Sequence, residues 1–198
     1  MAFVAFLDTN VLFPAVLRDV RLSLAEAGVY QIRWCPDVLD EMERNVAKIA
    51  RAQSPHAAAG GARYLRQTME LAFPDAMVER EAYQHLISAM TNDQKDRHVL
   101  AAAIVGRADV LVTFNTAHFP PDSCQQYGIE VQPPDVFLVH QYGLIPWDNI
   151  SRVLRILSEE RKPPMDAPEK ILRLLQQHTP NFCRKALEQL SRSDTRDR

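Results

Sequence analysis

The sequence predicts an α/β fold in which helices cover both faces of a central parallel sheet. Residues 3–7 form a continuous apolar run, which is typical of a strand buried on both faces of such a sheet. Shorter apolar runs recur along the chain, and stretches with helical spacing of apolar residues separate them. Strands that alternate with helices favour parallel pairing through right-handed crossovers.

The first part of the chain follows this order closely. After the strand over residues 3–7, apolar residues at helical spacing predict a helix over 16–27. Gly28 is well placed to end that helix in a left-handed conformation. Residues 31–35 predict a second strand, and Pro36 suits the first position of the helix that follows.

The middle of the chain continues the alternation. Residues 54–61 contain a proline, two adjacent glycines and three consecutive alanines, which predict a loop, and a helical pattern follows over 64–71. A polar loop over 91–95 leads into a helix that ends near Gly106. The remaining predicted elements are short strands over 76–78, 109–113 and 129–132 and a short helix over 83–90.

Beyond Asp135 the pattern changes to amphipathic helices. Residues 150–157 carry apolar side chains at helical spacing, and the pair Pro163-Pro164 cannot continue that helix. Two further helices are predicted, one after Pro168 and one that begins at Pro180 with Thr179 as its N-cap.

The predicted organisation is one domain over residues 1–140 and a helical extension over 141–198. The end of the extension, residues 191–198, lacks apolar anchors and should be mobile. Residues 151–198 carry 11 Lys or Arg against 7 Asp or Glu, whereas residues 1–150 carry 12 against 18. An acidic body argues against a strongly basic nucleic-acid-binding domain and fits a site that collects cations.

Composition also indicates a location. The apolar start lacks a basic leader and no apolar run reaches membrane-spanning length, so neither a signal peptide nor a membrane span is predicted. The three cysteines are odd in number and far apart, which argues against a disulfide framework or a zinc knuckle. A reducing cytoplasm fits best.

Three carboxylates from separate segments are expected to converge at one edge of the sheet. Asp8 ends the first strand, Glu41 lies in the first turns of the helix after the second strand, and Asp96 lies at a helix entrance. Singly, each has a local explanation, as a helix cap for Asp8 and Asp96 and as a solvated helix residue for Glu41. Together they would repel one another, and Mg²⁺ or Mn²⁺ would offset that repulsion. Such a site suits phosphodiester hydrolysis without a covalent intermediate.

The motifs that contain these acids resemble, in order, those of PIN domains. They are residues 8–12 (DTNVL), 37–42 (DVLDEM), 96–103 (DRHVLAAA) and 111–115 (LVTFN), and the resemblance covers about residues 3–140. Within that superfamily the chain looks most like VapC-type toxins of bacterial toxin–antitoxin pairs that carry a helical C-terminal extension. The resemblance implies a PIN-like α/β/α sandwich and a Mg²⁺- or Mn²⁺-dependent endoribonuclease.

The resemblance also implies roles for single residues. Asp8, Glu41 and Asp96 would hold the metal, and Asn115 stands at a fourth catalytic position where the commonest pattern has Asp. Asn offers a carbonyl oxygen but no charge, so one metal or two remains open. The auxiliary candidates are Asn10, Asp93 and Thr113, and the candidates for phosphate contacts are Arg18, Lys95 and Arg97. His98 and His118 lack a partner histidine at ligand spacing and are interpreted as surface or structural residues.

Two alternatives stay open at this point. A catalytically degenerate PIN domain would act as an RNA- or protein-binding module, which Asn115 and the extra helices favour. A haloacid-dehalogenase-like phosphatase would need an acid where Asn10 stands, so its covalent route is poorly supported. If the toxin resemblance holds, the partners would be an RNA substrate, a cognate antitoxin and a second copy of the chain, with no membrane. The RNA target is not readable from the sequence.

Overall fold

The structure is a computed structural model that describes residues 3–53, 58–159 and 166–196. Its secondary structure consists of four strands and a larger number of helices. The strands are β1 (Val4–Leu7), β2 (Gln31–Arg33), β3 (Val110–Val112) and β4 (Glu130–Gln132). The α-helices described are α1 (Thr9–Leu12), α2 (Ala15–Glu26), α3 (Pro36–Gln53), α4 (Ala58–Ala72), α5 (Arg80–Tyr83), α6 (Arg97–Val105), α7 (Pro121–Cys124), α8 (Pro134–Leu144), α9 (Trp147–Glu159), α10 (Pro168–Leu175) and α11 (Pro180–Arg196).

The chain divides into two compact units that are not contiguous in sequence. The first combines the residues up to Phe13 with Tyr30–Gln132, and the second combines Pro14–Val29 with the described residues from Pro133 onward. The boundary after residue 140 that the sequence predicts stays a prediction, and it would fall inside α8. In the two compact units, α2 is grouped with the C-terminal helices.

The first unit contains a four-stranded parallel sheet flanked by helices, as predicted. The strand order is β2-β1-β3-β4, with Ala5 of β1 opposite Ile32 on one side and Val110 on the other. The chain therefore passes from β1 to β2 and then returns to the opposite side of β1 to form β3. The carboxyl ends of β1 and β3 lie side by side at this topological switch point, which is where parallel sheets place their ligands.

The strands are short, and the two central strands, β1 and β3, are the buried ones. In β1 the side chains of Ala5, Phe6 and Leu7 have no exposed surface, and β3 is buried along its whole length. This burial on both faces explains why these strands are continuous apolar runs without alternation. The predicted strand over 76–78 is reduced to a single bridge between Trp34 and Met77.

Helices α3 and α4 of the first unit pack against each other, and they differ from the prediction at their connection. The predicted loop over 54–61 is too long, because α4 already begins at Ala58 and contains Gly60 and Gly61. Burial of Ala62 and Met69 offsets the poor helix propensity of the two glycines. Residues 54–57 of that loop lie outside the described residues. The short helix predicted over 83–90 is a 3₁₀ helix over Gln84–Ala89.

The second unit is entirely helical in its described part. Helix α2 packs against α9 and α10, α10 packs against α9 and α11, and α11 packs against α8. Gly28 has φ +76°, so the predicted left-handed end of α2 is confirmed. The predicted break at Pro163-Pro164 lies outside the described residues. The segment expected to be mobile is helical as far as Arg196, and residues 197–198 lie outside the described part.

Two features of the second unit differ from the prediction. Helix α8 was not predicted, although Pro134 stands at its first turn. The predicted N-cap Thr179 instead donates its hydroxyl to the Leu175 carbonyl at 3.3 Å. The carboxylate of Asp135 caps α11 and accepts the backbone N–H groups of Asn181 at 3.2 Å and Phe182 at 2.9 Å. Among the described helices, none is both long and apolar enough to cross a membrane.

Candidate metal centre and active site

Asp8 stands at the centre of the candidate site, directly after β1. Its backbone N–H donates to the Val112 carbonyl at 3.2 Å, which joins it to the end of β3. One carboxylate oxygen, Oδ1, accepts the backbone N–H of Thr9 at 2.7 Å and so caps α1. The side chain is nevertheless buried, with 5% of its surface exposed. Capping therefore accounts for one of its two oxygens.

The second carboxylate oxygen of Asp8 is held by two side chains from the edge of the sheet. Asp8 Oδ2 accepts hydrogen bonds from the Thr113 hydroxyl at 2.6 Å and from the Asn10 amide at 2.7 Å. Asn10 also donates to Thr113 Oγ1 at 2.9 Å, and its carbonyl oxygen accepts the backbone N–H of Phe114 at 3.0 Å. Thr113 and Asn10, both predicted as auxiliary residues, thus lock the Asp8 carboxylate in one orientation.

The other two predicted acids, Glu41 and Asp96, both act electrostatically on Asp8. Burial raises the pKa of Asp8 to about 6, against the lowering effect of the Thr113 hydrogen bond, and the negative charges of Asp96 and Glu41 raise it further. The two charges named here are both negative, so the site concentrates negative charge around a buried carboxylate.

Glu41 reaches the site from α3. The start of this helix is fixed to α1 by the Thr9 hydroxyl, which donates to the Val38 carbonyl at 3.2 Å. Glu41 itself is exposed, whereas Val38 and Leu39 are buried. The helix is thus anchored by its apolar face, and Glu41 is left accessible to a ligand in solution.

Asp96 and Asp93 reach the site from a short 3₁₀ turn, Gln94–Asp96, that precedes α6. Asp93 caps this turn by accepting the Lys95 N–H at 3.0 Å. Asp96 stands at the N-cap position of α6 but makes no capping hydrogen bond. Its Oδ2 lies 2.6 Å from Nδ1 of His118 instead. Ordinary helix capping therefore does not explain Asp96.

The sequence predicts a surface or structural role for His118, but in the structure its ring lies beside the Asp96 carboxylate. One ligand atom from each of Asp93, Asp96 and His118 lies within 4.8 Å of the others, an arrangement that can hold a cation. The hydrogen bond to Asp96 raises the pKa of His118. The His118 carbonyl also accepts the Asp93 N–H at 3.0 Å, which fixes the two loops to each other. The available signal was its place in the loop after β3, at the same edge as Asp8.

The other predicted residues take varied positions. The Asn115 backbone N–H donates to Thr113 Oγ1 at 3.0 Å, while the Asn115 side chain is exposed. Lys95 is exposed, and Arg97 Nε donates to the Asn92 carbonyl at 3.4 Å. Arg18 belongs to α2 in the second unit, where it is buried, with its guanidinium 3.3 Å from Asp19. Phosphate contacts by Arg18, Lys95 and Arg97 stay predictions.

Comparisons with known proteins identify the family. The family model described as "PIN domain" matches residues 4–117, which include every acid and amide of the candidate site. The chain is also 41% identical over 104 residues, 52% of its length, to the "Putative ribonuclease VapC50" of Mycobacterium tuberculosis (strain ATCC 25618 / H37Rv). This match spans 61% of the length of that relative. No solved structure gives a significant match. The chain belongs to the PIN-domain family.

Proposed function

We propose that the protein is a metal-dependent endoribonuclease and the toxin of a type II toxin–antitoxin pair. The observation that carries this proposal is the buried Asp8 carboxylate at the sheet switch point, held by Thr113 and Asn10. Its pKa is raised to about 6 by burial and by the charges of Asp96 and Glu41. Carboxylates gathered around a buried acid are what a site for a divalent cation requires.

The donor set fits Mg²⁺ or Mn²⁺ in its chemistry. Asp8, Glu41 and Asp96 offer hard carboxylate oxygens, and Asp93 and His118 lie next to Asp96. A bound cation would supply positive charge opposite the phosphate and a water of lowered pKa. Asn10 and Thr113 keep the Asp8 carboxylate oriented toward the site, and His118 does the same for Asp96.

RNA is the proposed substrate because the relative in Mycobacterium tuberculosis is described as a ribonuclease. The resemblance to VapC-type toxins motivates the toxin assignment, with a cognate antitoxin as partner and a homodimer as the assembly, and the three free cysteines fit a cytoplasmic location. Co-expression with the product of a neighbouring gene, followed by purification, tests the antitoxin. A monomeric mass at micromolar concentration would contradict the dimer.

The activity is tested by incubating the purified, metal-stripped protein with total RNA in the presence of Mg²⁺ or Mn²⁺. We expect discrete fragments that disappear with a chelator and in the Asp8→Asn and Asp96→Asn variants. Asp122→Asn is the matched control, because Asp122 is an exposed acid near the start of α7 and has no role in the site. This control should cleave like the wild type.

The two alternatives predict different results in the same experiment. A binding module would retain RNA binding but produce no fragments with any metal, although the protein is folded. A phosphatase would hydrolyse small phosphomonoesters and leave RNA intact. Cleavage that survives both substitutions would contradict the assignment of the acids.

A further inference from the structure

A groove of about 840 Å³ runs between α3 and α4 of the first unit. It is distinct from the acidic site, although α3 also carries Glu41. Among the described residues its walls carry six charged side chains: Arg44, Lys48, Arg51, Arg63, Asp40 and Glu43. The other described lining residues are Ala47 and Gly60, so this part of the groove offers neither a large aliphatic nor an aromatic side chain.

The two acids of the groove both point toward Arg66, which offsets part of their negative charge. The guanidinium of Arg66 makes a close ion pair with Asp40 and lies 3.4 Å from Glu43. A third acid, Glu70, holds the same guanidinium at 2.9 Å and orients it. The four basic residues that line the groove outnumber its two acids, and Arg66 and Glu70 cancel each other in this balance, so the groove carries a net positive charge.

Those four residues are exposed and make no ion pair within the described part of the chain. Arg44 and Lys48 are four residues apart on α3, and Lys48 and Arg51 are three apart, so their charges repel one another. Solvated basic residues on a helix usually alternate with acids that relieve such repulsion. Here Asp40 and Glu43 are turned toward Arg66, so the basic stripe formed by Arg44, Lys48 and Arg51 has no acid paired with it in the described part of the chain.

The basic stripe starts about one helical turn after Glu41, an acid of the candidate site. Glu41, Arg44, Lys48 and Arg51 follow one another at intervals of three or four residues and share one face of α3. The start of α3 is tied to α1 beside Asp8 through Thr9. From Glu41 to Arg51 the helix rises by about 15 Å, at about 1.5 Å per residue. A strand cut at the acids could therefore continue along this face for a few nucleotides.

We propose that this groove binds the phosphate backbone of the single-stranded RNA that flanks the cleaved bond. The proposal rests on the proposed function, and it names the route that the substrate takes. Cations that have no aromatic side chain beside them to stack on a base recognise phosphates, and none lines the described part of the groove, so the contact is expected to be independent of sequence. An acidic protein segment fits less well, because protein partners are anchored by buried apolar or aromatic side chains, and the described lining provides none.

The test measures equilibrium binding of a fluorescein-labelled single-stranded RNA of about 20 nucleotides by fluorescence anisotropy. A chelator is present so that cleavage does not interfere. The test variant is Arg44→Gln/Lys48→Gln/Arg51→Gln. Its matched control is Arg152→Gln/Arg155→Gln/Arg173→Gln, which removes the same charge from exposed residues of α9 and α10 in the second unit. Thermal unfolding confirms that both variants fold, and we expect the test variant to unfold no earlier than wild type.

We expect the test variant to lose roughly tenfold or more in affinity and the control to lose much less. The slope of log affinity against log salt should become shallower by about 2 in the test variant, because each phosphate contact on a single strand contributes about 0.7. Equal losses in the two variants, or an unchanged salt slope, would overturn the proposal. So would a preference for poly-glutamate over the RNA, which would indicate an acidic protein partner.

This result is independent of the nuclease assay. If the groove proposal is right and the nuclease proposal wrong, the test variant loses RNA binding although no metal produces fragments. If the nuclease proposal is right and the groove proposal wrong, metal-dependent cleavage occurs and the test variant binds RNA like the control. Each proposal can therefore fail alone.

Discussion

At the scale of single residues, the two oxygens of Asp8 have different tasks. Oδ1 caps α1 through Thr9, and Oδ2 is held by Thr113 and Asn10. Because the cap and the side-chain contacts act on the same carboxylate, the start of α1 fixes the position of the acid. The orientation of the Asp8 carboxylate thus depends on the hydroxyl of Thr113.

Replacement of Thr113 by Val should weaken metal binding without unfolding the chain. The substitution keeps the shape of the buried side chain but removes the hydroxyl that donates to Asp8 and accepts from Asn10. We expect Mn²⁺ affinity and RNA cleavage to fall about 10- to 100-fold, as is usual when a ligand loses its orienting partner. Calorimetric titration with Mn²⁺ measures the first and fragment yield the second.

Thr68→Val is the matched control for this substitution. The Thr68 hydroxyl donates only to the Tyr64 carbonyl within α4, at 2.9 Å, and lies outside the site. It should leave Mn²⁺ affinity unchanged. Equal affinity in the Thr113 and Thr68 variants would show that the hydroxyl of Thr113 does not orient the acid.

The raised pKa of Asp8 predicts that the metal-free fold is destabilised at neutral pH. A carboxyl with a raised folded-state pKa stabilises the fold below its unfolded pKa, and this contribution is lost as pH rises through the folded value. For Asp8 that value is about 6. Near pH 7 in chelator, the free energy of unfolding of Asp8→Asn should therefore exceed that of wild type by up to about 2–3 kcal/mol. The variant should unfold at a correspondingly higher temperature.

The advantage of Asp8→Asn should shrink toward about pH 4, where Asp8 of the wild type is itself protonated in the folded chain. Thermal unfolding by circular dichroism across this range measures the difference. Asp122→Asn serves again as the control. A difference between Asp8→Asn and wild type that does not change with pH would mean that Asp8 ionises as it does in the unfolded chain.

The places of the three acids in the fold could be expected from the sequence, whereas the contact between His118 and Asp96 could not. Asp8, Glu41 and Asp96 each stand at a recognisable place, a strand end or the first turns of a helix, and the edge of a parallel sheet gathers such places. His118 has no pattern of its own. Its contact with Asp96 depends on how the loop after β3 folds back toward the turn before α6, and local sequence does not encode that path.

At the scale of the elements, the helix that begins at Pro180 shows how a cap can come from another element. The sequence predicted Thr179 as the cap because local capping is the common case. In the structure the Asp135 carboxylate accepts the N–H groups of Asn181 and Phe182, and Asp135 comes from α8. The same carboxylate therefore acts near the positive ends of two helix dipoles.

Removal of this carboxylate should destabilise the second unit. We expect Asp135→Ala to lower the free energy of unfolding by about 2 kcal/mol, because charge-assisted hydrogen bonds to the α11 N-terminus are lost. Asp135→Asn keeps one acceptor oxygen and should lose about half as much. Thermal unfolding of both variants and of the control Asp148→Ala, an acid in the first turn of α9, measures the effect. A loss no larger than that of the control would contradict the cap.

The element boundaries show where local patterns are informative. The apolar strands and the helices over α2, α3, α6 and α9 follow from periodicity, because each of them buries one face or both. The sequence predicts too late a start for α4, because Gly60 and Gly61 have the poor helix propensity of loop residues but lie within the helix. Helix α8 was missed because its apolar residues lie all around the helix, so no helical stripe is visible.

At the scale of the whole molecule, the sequence predicted the class of the fold but not how the chain is divided. Alternating strands and helices imply a parallel sheet, and the sheet is parallel throughout. The return of α2 to the C-terminal helices joins segments more than a hundred residues apart. Local periodicity shows that α2 has an apolar face, but it does not show which other helices cover that face.

Because the second unit is discontinuous in sequence, removal of the C-terminal helices should affect α2. In a chain that ends at residue 140, α9 and α10 are absent, and α2 loses the helices against which it packs in its own unit. The buried side chains of Leu17, Val20 and Leu24 each contribute about 1.5–3 kcal/mol through burial, and a helix of this length is marginal without such packing. We expect the amides of α2 to exchange with solvent much faster in the truncated chain than in the full chain, whereas those of β1 and β3 keep their protection. Equal protection of α2 in both chains would show that the C-terminal helices do not stabilise it, and a linear domain ending at residue 140 would then be the better description.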